Sequence, residues 1–307
     1  MRGERGFALV ITLIVTALLV ALMVEFVNET YVGTVHSHNF VASQQAGLLS
    51  ESGASLGRKL LEFELGFAHP GYSSLQDMWA KPLEREDETG KLTVTIEEES
   101  GKLNLNTIGL PKGPDTTNFP MAQELFRQLK LAPELLDAVV DWIGDPTVAP
   151  QPNGAKSPYY NTLKPPYDAK GDKLDSVEEL GLVKGFTPEI VAKLKPYVTV
   201  FGGGQAETST KINVNTAPRE VLAALDPKMT DDYVSRILEW RKTKPIKNLN
   251  EVPGLDAVSA AVSLKVGYQG CVYRIRSQAT VGESVGVTEA VVRVSGSSSD
   301  ILYWRQY

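Results

Sequence analysis

An unbroken apolar stretch near the amino terminus constrains this chain more than any other feature. Residues 7–24 hold no charged side chain, and a helix of that length is about 27 Å long, close to the ~30 Å hydrocarbon core of a bilayer. Arg2 and Arg5 precede the stretch and no basic cluster follows it, which predicts a cytoplasmic amino terminus. The run exceeds the usual apolar core of a secretory signal peptide, and no A-x-A-like cleavage site follows. A retained membrane-spanning helix is therefore predicted.

The junction of Gly6 and Phe7 directly before this stretch resembles a class III prepilin leader, the signal of type IV pilins and type II secretion pseudopilins. The resemblance implies cleavage between Gly6 and Phe7 by a prepilin peptidase, methylation of the new Phe7 amine, and a helix that becomes part of a filament core. Major pilins have Glu at the fifth mature position, where this chain has Ile11. In this departure the chain is similar to one minor pseudopilin family, the general secretion pathway protein K family.

Charge and cysteine content agree with an exported protein of more than one compact unit. The 307 residues include 31 basic and 37 acidic side chains, for a net charge of −6. Loss of a leader with two Arg and one Glu makes the remainder one unit more negative, which argues against a nucleic-acid partner. Cys271 is the single cysteine, so no intramolecular disulfide is possible. We expect its thiol to be a buried small hydrophobe.

Periodicity predicts an α+β fold. The N-terminal helix is expected to run to about Phe67 with an amphipathic stripe that a sheet covers. Strand-like alternation occurs at residues 92–97, 272–278, 287–294 and 301–304. The predicted fold is a long N-terminal transmembrane, pilin-like helix packed on an antiparallel sheet, with a large inserted α-helical domain.

The inserted part contains a degenerate duplication. The hexapeptide KLNLNT at 102–107 recurs as KINVNT at 211–216, and each copy precedes two predicted helices and a short apolar turn that ends on Gly185 or Gly254. Each turn fits the helix-hairpin-helix pattern, in which glycine allows a tight connection. Such hairpins bind DNA phosphate when basic residues surround them, but the second copy offers Asn and acidic residues. We therefore expect a structural use.

Segment boundaries follow from these patterns. The first copy is longer because residues 144–171 form a Pro-, Gly- and Tyr-rich stretch, predicted to be an ordered loop or an interaction surface. The predicted segments are a leader (1–6), the transmembrane part of the helix (7–24), the pilin-like helix with the first strands (25–101), a first helical unit (102–200), a linker (201–210), a second helical unit (211–268) and the C-terminal strands (269–307).

The resemblance to the protein K family extends along the whole chain, through segments such as residues 99–106, 158–160, 165–167, 175–180 and 212–218. It implies a calcium-binding ectodomain, and calcium needs several carboxylate oxygens. Asp141 and Asp145 are the candidate ligands, but Lys156 and Ser157 stand where related chains have acidic residues. Calcium is the one candidate cofactor, and its binding is left open.

Signatures of catalysis are missing from the sequence. It has no HExxH, no CxxC and no Gly-rich phosphate loop, and its three His residues all lie near the first helix. A non-enzyme is therefore expected. The resemblance to the protein K family implies a minor pseudopilin that initiates or caps the tip of the type II secretion pseudopilus. The implied partners are other minor pseudopilins, the prepilin peptidase and the inner-membrane platform. The implied location is the bacterial inner membrane, with a single span and a periplasmic ectodomain. The alternatives are a minor type IV or DNA-uptake pilin whose hairpins bind nucleic acid, and a generic single-pass protein with an uncleaved anchor.

Overall fold

Helix α1 (Gly3–Phe63) dominates the computed structural model, which describes residues 3–68, 71–202 and 211–307. A π-helical turn, Glu64–Ala68, ends it. Every side chain from residue 7 to residue 41 is exposed, and within the described residues one helix, beginning at Phe7, is long and apolar enough to cross a membrane. The predicted long helix is confirmed. Residues 1–2 of the predicted leader and residues 203–210 of the predicted linker lie outside the described part.

The distal part of α1 packs on a sheet through one narrow face. Ala42, Ala46, Ser50 and Ala54 recur every fourth residue and are buried, as expected for one face of a helix. Small side chains on this face allow a close approach. A Cβ added at Gly286 of the sheet would lie 2.6 Å from the backbone of Ala46. The helix therefore lies almost directly on the strands.

The remaining elements follow α1 in four groups. Two strands come first, β1 (Leu83–Asp87) and β2 (Gly90–Glu98). A first helical unit contains β3 (Leu103–Asn104), β4 (Gly109–Leu110), β5 (Gly113–Pro114), α2 (Asn118–Gln128), α3 (Leu135–Ile143), α4 (Ser157–Tyr160), α5 (Pro188–Leu194) and β6 (Val198–Thr199). A second helical unit contains β7 (Ile212–Asn213), α6 (Arg219–Ala224), α7 (Asp231–Thr243), α8 (Asp256–Val262) and β8 (Val266–Gly267). Three strands close the chain, β9 (Val272–Val281), β10 (Ser284–Ser295) and β11 (Ser298–Gln306).

The sheet has five antiparallel strands in the order β1-β2-β9-β10-β11. Strand β2 pairs directly with β9, with Ile96 opposite Ile275, although the two helical units lie between them in sequence. The rings of Trp79 and Tyr273 pack edge to face in the core between α1 and the sheet, with 5.1 Å between the ring centres. The predicted arrangement of a pilin-like helix on an interrupted antiparallel sheet is confirmed.

Each helical unit is closed by a short parallel strand pair. Leu103 lies opposite Val198 in the first unit, and Ile212 lies opposite Val266 in the second. One continuous apolar core runs through both units. The opening strand of each unit thus pairs with its closing strand, which explains why the hexapeptide pattern recurs at the start of both.

The structure corrects several local predictions. Strand β1 was not predicted, and residues 144–171 contain the short helix α4 as well as loop. The first of the two helices predicted after the hexapeptide at 102–107 is α2. Cys271 precedes β9 and is half-buried, and burial raises the pKa of its thiol. The predicted buried cysteine is therefore only partly covered.

Candidate functional site

From Phe7 onward, the first part of α1 exposes a series of large apolar side chains. Phe7 is 70% exposed and Ile11 is 44% exposed. Farther along the helix, after the predicted membrane segment, Phe26, Tyr31 and Phe40 are exposed as well. Soluble monomers rarely expose contiguous apolar patches of this extent, so such a surface marks contact with a membrane or a partner.

Asp141, a sequence candidate for calcium, is buried in the last turn of α3. Its carboxylate accepts the backbone N–H of Gln151 at 3.0–3.1 Å. Gly154 passes so close that an added Cβ would lie 1.8 Å from Oδ2 of Asp141. Burial raises the pKa of the Asp141 carboxyl, against the opposing effects of the Gln151 N–H and the Lys156 charge. The carboxylate thus fixes the loop that follows α3.

Asp145, the second candidate, holds its own turn. Its Oδ1 accepts the backbone N–H and the hydroxyl of Thr147 at 2.8 and 2.6 Å. These two bonds hold the pKa of Asp145 below its ordinary value. The side chain is only half-buried. The two candidate carboxylates therefore serve different parts of the backbone.

The ammonium of Lys156 binds the backbone of both Asp residues. Its Nζ donates to the backbone carbonyls of Asp141 at 2.8 Å, Asp145 at 3.0 Å and Gly144 at 3.4 Å. Oδ1 of Asp141 lies 3.9 Å away, and the Lys156 side chain is only 10% exposed. We call these three carbonyls and the Asp141 carboxylate the oxygen cage.

The residues at the oxygen cage do not fit a calcium ion. Calcium takes six to eight oxygen ligands at 2.3–2.6 Å, whereas the convergence point of this cage already holds a positive nitrogen. Within the described residues, no group of three or more His, Cys, Asp or Glu side chains is arranged to hold a metal. Asp141 and Asp145 bind the chain's own backbone, and Asp141 also pairs with the Lys156 ammonium.

A second buried polar cluster joins the second helical unit to the sheet. Glu98, at the end of β2, accepts Nδ2 of Asn213 on both carboxylate oxygens, at 2.8 and 3.0 Å. The hydroxyl of Ser73 donates to Glu98 at 2.9 Å. Burial raises the pKa of Glu98 to about 7, and the bonds from Asn213 and Ser73 oppose this rise.

The neighbouring Glu99 lies in an ion network. Its Oε1 accepts Nε of Arg274 at 2.8 Å and Nζ of Lys102 at 3.2 Å. Burial acts to raise the pKa of Glu99, but Lys102 and Arg274 hold it below its ordinary value. Arg274 also pairs with Glu289 on β10. The start of the helical part is thereby tied to the central strands.

The glycine turns have the conformation that their sequence predicts, with φ of +87° at Gly185 and +79° at Gly254. The basic groups beside them are engaged within the chain. Nζ of Lys184 donates to the carbonyls of Asn153 and Gly154 at 3.3 and 3.0 Å. Nε of Arg236 donates to Asp232 at 2.7 Å. These two basic side chains are therefore already engaged by groups of the chain itself.

Sequence reasoning identified Asp141 but missed the role of Lys156, and it missed Glu98 altogether. Lys156 stands where an acidic residue was expected, and this substitution already indicated that a positive side chain lies at the candidate site. The two Asn residues of each repeated hexapeptide gave a weaker signal. A buried Asn side chain needs hydrogen-bond partners, and these are backbone groups or a buried carboxylate.

The sequence of this chain is similar to proteins of known family. Residues 101–203 and 212–268 match two family models, both described as type II secretion system protein K. Type II secretion system protein K of Aeromonas hydrophila is 27% identical, over 99% of this chain and 97% of the relative. The same protein of Pectobacterium carotovorum subsp. carotovorum is 25% identical, over 99% and 96%.

A solved structure shares the fold. The structure of the GspK-GspI-GspJ complex from the type 2 secretion system of enterotoxigenic Escherichia coli contains a chain that matches with a TM-score of 0.71 and 19% identity. The match covers 89% of this chain and 99% of that one. The two family models span both helical units, and the full-length relatives extend the likeness to α1 and the sheet. The chain therefore belongs to the protein K family of the type II secretion system.

Proposed function

We propose that this chain is a minor pseudopilin that starts or caps the tip of the periplasmic pseudopilus while folded proteins are exported across the outer membrane. The observation that carries the proposal is the stretch of α1 from residue 7 to residue 41, in which every side chain is exposed. Residues 7–41 of a helix measure about 50 Å, of which about 30 Å cover the bilayer. The rest stands between the membrane and the sheet.

Other pseudopilin helices would cover this projecting part. Phe26, Tyr31, Val35 and Phe40 lie there with exposed side chains, and apolar surface of this kind is stabilised by burial at about 25 cal/mol per Å². The solved relative is found in a complex with GspI and GspJ. We propose the corresponding minor pseudopilins of the same system as the partners of this chain, with the inner-membrane platform as the site of assembly.

Processing and location belong to the same proposal. The prepilin peptidase cuts between Gly6 and Phe7 and methylates the new amine, and α1 then anchors the chain in the inner membrane with the rest in the periplasm. The basic residues before the apolar stretch support this orientation. Intact mass of the membrane-extracted protein is the check. A chain that still begins at Met1, or one cut near Glu25, contradicts this part of the proposal.

Ile11 supports a position at the end of the filament. A carboxylate at the centre of a bilayer costs roughly 2.5–3.5 kcal/mol on insertion scales, so a pilin keeps Glu at this position only if it finds a partner. In pilins that partner is the terminal amine of the subunit above. Ile11 cannot form this pair, but the Phe7 amine can still receive a carboxylate from below. We therefore propose that the Ile11→Glu variant is neutral or poorly tolerated, and that secretion does not require Glu at this position.

Nucleic-acid binding by the glycine turns is the less favoured alternative. Lys184 and Arg236 are bound within the chain, and the net charge of −6 provides few counterions to release from DNA. The role we propose is that of a filament subunit without catalysis. Sub-micromolar duplex DNA binding that weakens steeply with salt would favour the alternative.

Site-specific crosslinking tests the proposed partners. A photo-reactive residue at Phe40 of the full chain, in cells that contain the whole secretion system, should crosslink to the other minor pseudopilins. The same residue at exposed Lys193 on α5 is the matched control and should not crosslink to them. Crosslinks from Phe40 to none of them, with normal secretion, would contradict the proposal.

A further inference from the structure

The hydrogen-bond donors and the charge of the Lys156 ammonium are matched by oxygen atoms of the protein, as those of a bound cation would be. An ammonium has three N–H donors, and three carbonyl oxygens accept from this one at 2.8, 3.0 and 3.4 Å. The Asp141 carboxylate at 3.9 Å supplies the balancing charge. Surface lysines keep their ammonium in water, whereas the Lys156 side chain is only 10% exposed. The group is thus enclosed by oxygen atoms.

The end of helix α3 creates the oxygen cage. Carbonyls in the last turn of a helix have no partner within it, and this end carries the negative side of the helix dipole. The carbonyls of Asp141, Gly144 and Asp145 converge there on one point. Gly144 keeps the turn tight, since a Cβ added to it would lie 2.8 Å from the carbonyl oxygen of Val140. Carbonyl and carboxylate oxygens are also the ligands of hard cations such as calcium.

The ammonium fastens a long loop to the helical core. Lys156 directly precedes α4, so its bonds connect the start of α4 to the end of α3. The ammonium of Lys184 binds the carbonyls of Asn153 and Gly154 in the same loop and lies 5.3 Å from the ring centre of Tyr159. The loop residues between the two helices are therefore held by positive side chains of the protein itself.

We propose that the oxygen cage is a cation site whose resident cation is the Lys156 ammonium. The wild-type chain then orders this loop without calcium, because the ammonium already neutralises the buried Asp141 and takes the free carbonyls. Removal of the ammonium converts the cage to a site for a divalent ion, with water completing the coordination. The inference concerns folding of this chain and is independent of the proposed role in secretion.

Thermal unfolding of the full chain in detergent provides the first test, with calcium or with a chelator. The wild-type midpoint should be the same in both. Terbium, a calcium probe that tryptophan can sensitise, should give no bound luminescence with wild type, although Trp142 lies next to Asp141 in sequence. A calcium-dependent rise in the wild-type midpoint, or terbium bound to wild type, would overturn the proposal.

Two variants provide the second test. Lys156→Ala leaves the buried Asp141 without a counter-charge and should lower the midpoint in chelator by roughly 5 °C or more. Calcium should restore a large part of this loss, and terbium should then bind. Lys156→Asp adds a carboxylate and should respond to calcium more strongly. If Lys156→Ala folds only when calcium is present, that supports the proposal as well.

Lys193→Ala is the matched control, because Lys193 is an exposed lysine on helix α5 of the same helical unit. It should change neither the midpoint nor the calcium response. Lys156 variants that unfold like wild type, or that lose stability with no recovery in calcium and no terbium binding, would show that the oxygen cage is not a cation site.

Discussion

The two helical units share one hydrogen-bonding scaffold but differ in what is attached to it. In the first unit, Asn106 donates to the carbonyls of Leu174 and Val200 and accepts the N–H of Leu174. In the second, Asn215 donates to the carbonyls of Ile246 and Tyr268 and accepts the N–H of Ile246. The last Asn of each repeated hexapeptide thus makes the same three side-chain hydrogen bonds to the backbone of its own unit.

The attachments distinguish the units. The first carries the long loop held by Lys156 and Lys184. The second has no such loop, but its Asn213 reaches Glu98 of the sheet. Asn104 and Asn213 both accept the backbone N–H of the second Asn of their hexapeptide, so the units differ in the additional bonds that the Asn213 amide donates to Glu98. A duplicated scaffold has therefore acquired a loop in one copy and an anchor to the pilin-like sheet in the other.

The largest expected effect comes from the shared scaffold. Asn215→Ala leaves one N–H and two carbonyls without their partner, and each unsatisfied buried group costs about 1–3 kcal/mol. We expect a loss of about 3 kcal/mol or more in the free energy of unfolding. Asn106→Ala should lower the free energy of unfolding by less, because Asn106 is half-buried whereas Asn215 is only 1% exposed.

Chemical denaturation of both variants measures this pair, with exposed Asn250→Ala as the control. If Asn106→Ala or Asn215→Ala is as stable as the control, the common scaffold is wrong for that unit.

The next effect concerns the anchor to the sheet and depends on pH. The folded pKa of Glu98 is raised from 4.5 to about 7, so the folded protein binds more protons than the unfolded chain between these values. Stability should therefore fall as pH rises from about 4.5 to about 7, by roughly 3 kcal/mol, and stay level above that range. Asp77 contributes to the raised value as a nearby negative charge.

Glu98→Gln should remove this part of the pH dependence, because the amide does not titrate. The neighbouring exposed Glu97→Gln is the matched control and should preserve the slope. Denaturation series between pH 4 and pH 8 compare the three proteins. An identical slope in wild type and Glu98→Gln would remove the assigned role of Glu98.

The smallest expected effect separates the two glycine turns. Both glycines have positive φ, where an L-residue costs roughly 1–2 kcal/mol. A Cβ at Gly185 would also lie 2.6 Å from the Leu135 side chain, which is closer than the 2.9 Å between a Cβ at Gly254 and the guanidinium of Arg236. Gly185→Ala should therefore destabilise more than Gly254→Ala.

Gly181→Ala is the control for the turns, since nothing lies within 4 Å of an added Cβ and its φ is not positive. It should be neutral in the same denaturation experiment. Equal stability of all three variants would contradict the backbone argument.

Sequence periodicity was sufficient for the elements that bury one regular face. The length of α1, the strands β2, β9, β10 and β11 and the duplication all follow from apolar spacing. Strand β1 could not be predicted in this way, because four of its five residues are exposed and charged. The parallel pairs β3–β6 and β7–β8 are two residues long, which is too short for any period to appear.

The polar sites depend on contacts that no local pattern contains. The Lys156 ammonium meets its carbonyls only because the loop returns to the end of α3. Glu98 meets Asn213 across more than a hundred residues of sequence. The sequence indicated that Asp141 was important, but which cation balances it was decided by the three-dimensional course of the loop.

The position of the chain in the filament is the central claim, and electron microscopy of labelled pseudopili tests it most directly. A gold-labelled tag on a surface loop of the helical units, in a strain that assembles pseudopili, reports where each copy lies. We predict label at one end of each filament, in a single copy, because the exposed apolar part of α1 joins the other minor pseudopilins there and Ile11 does not favour an interior position. Label distributed along the shaft would contradict the account.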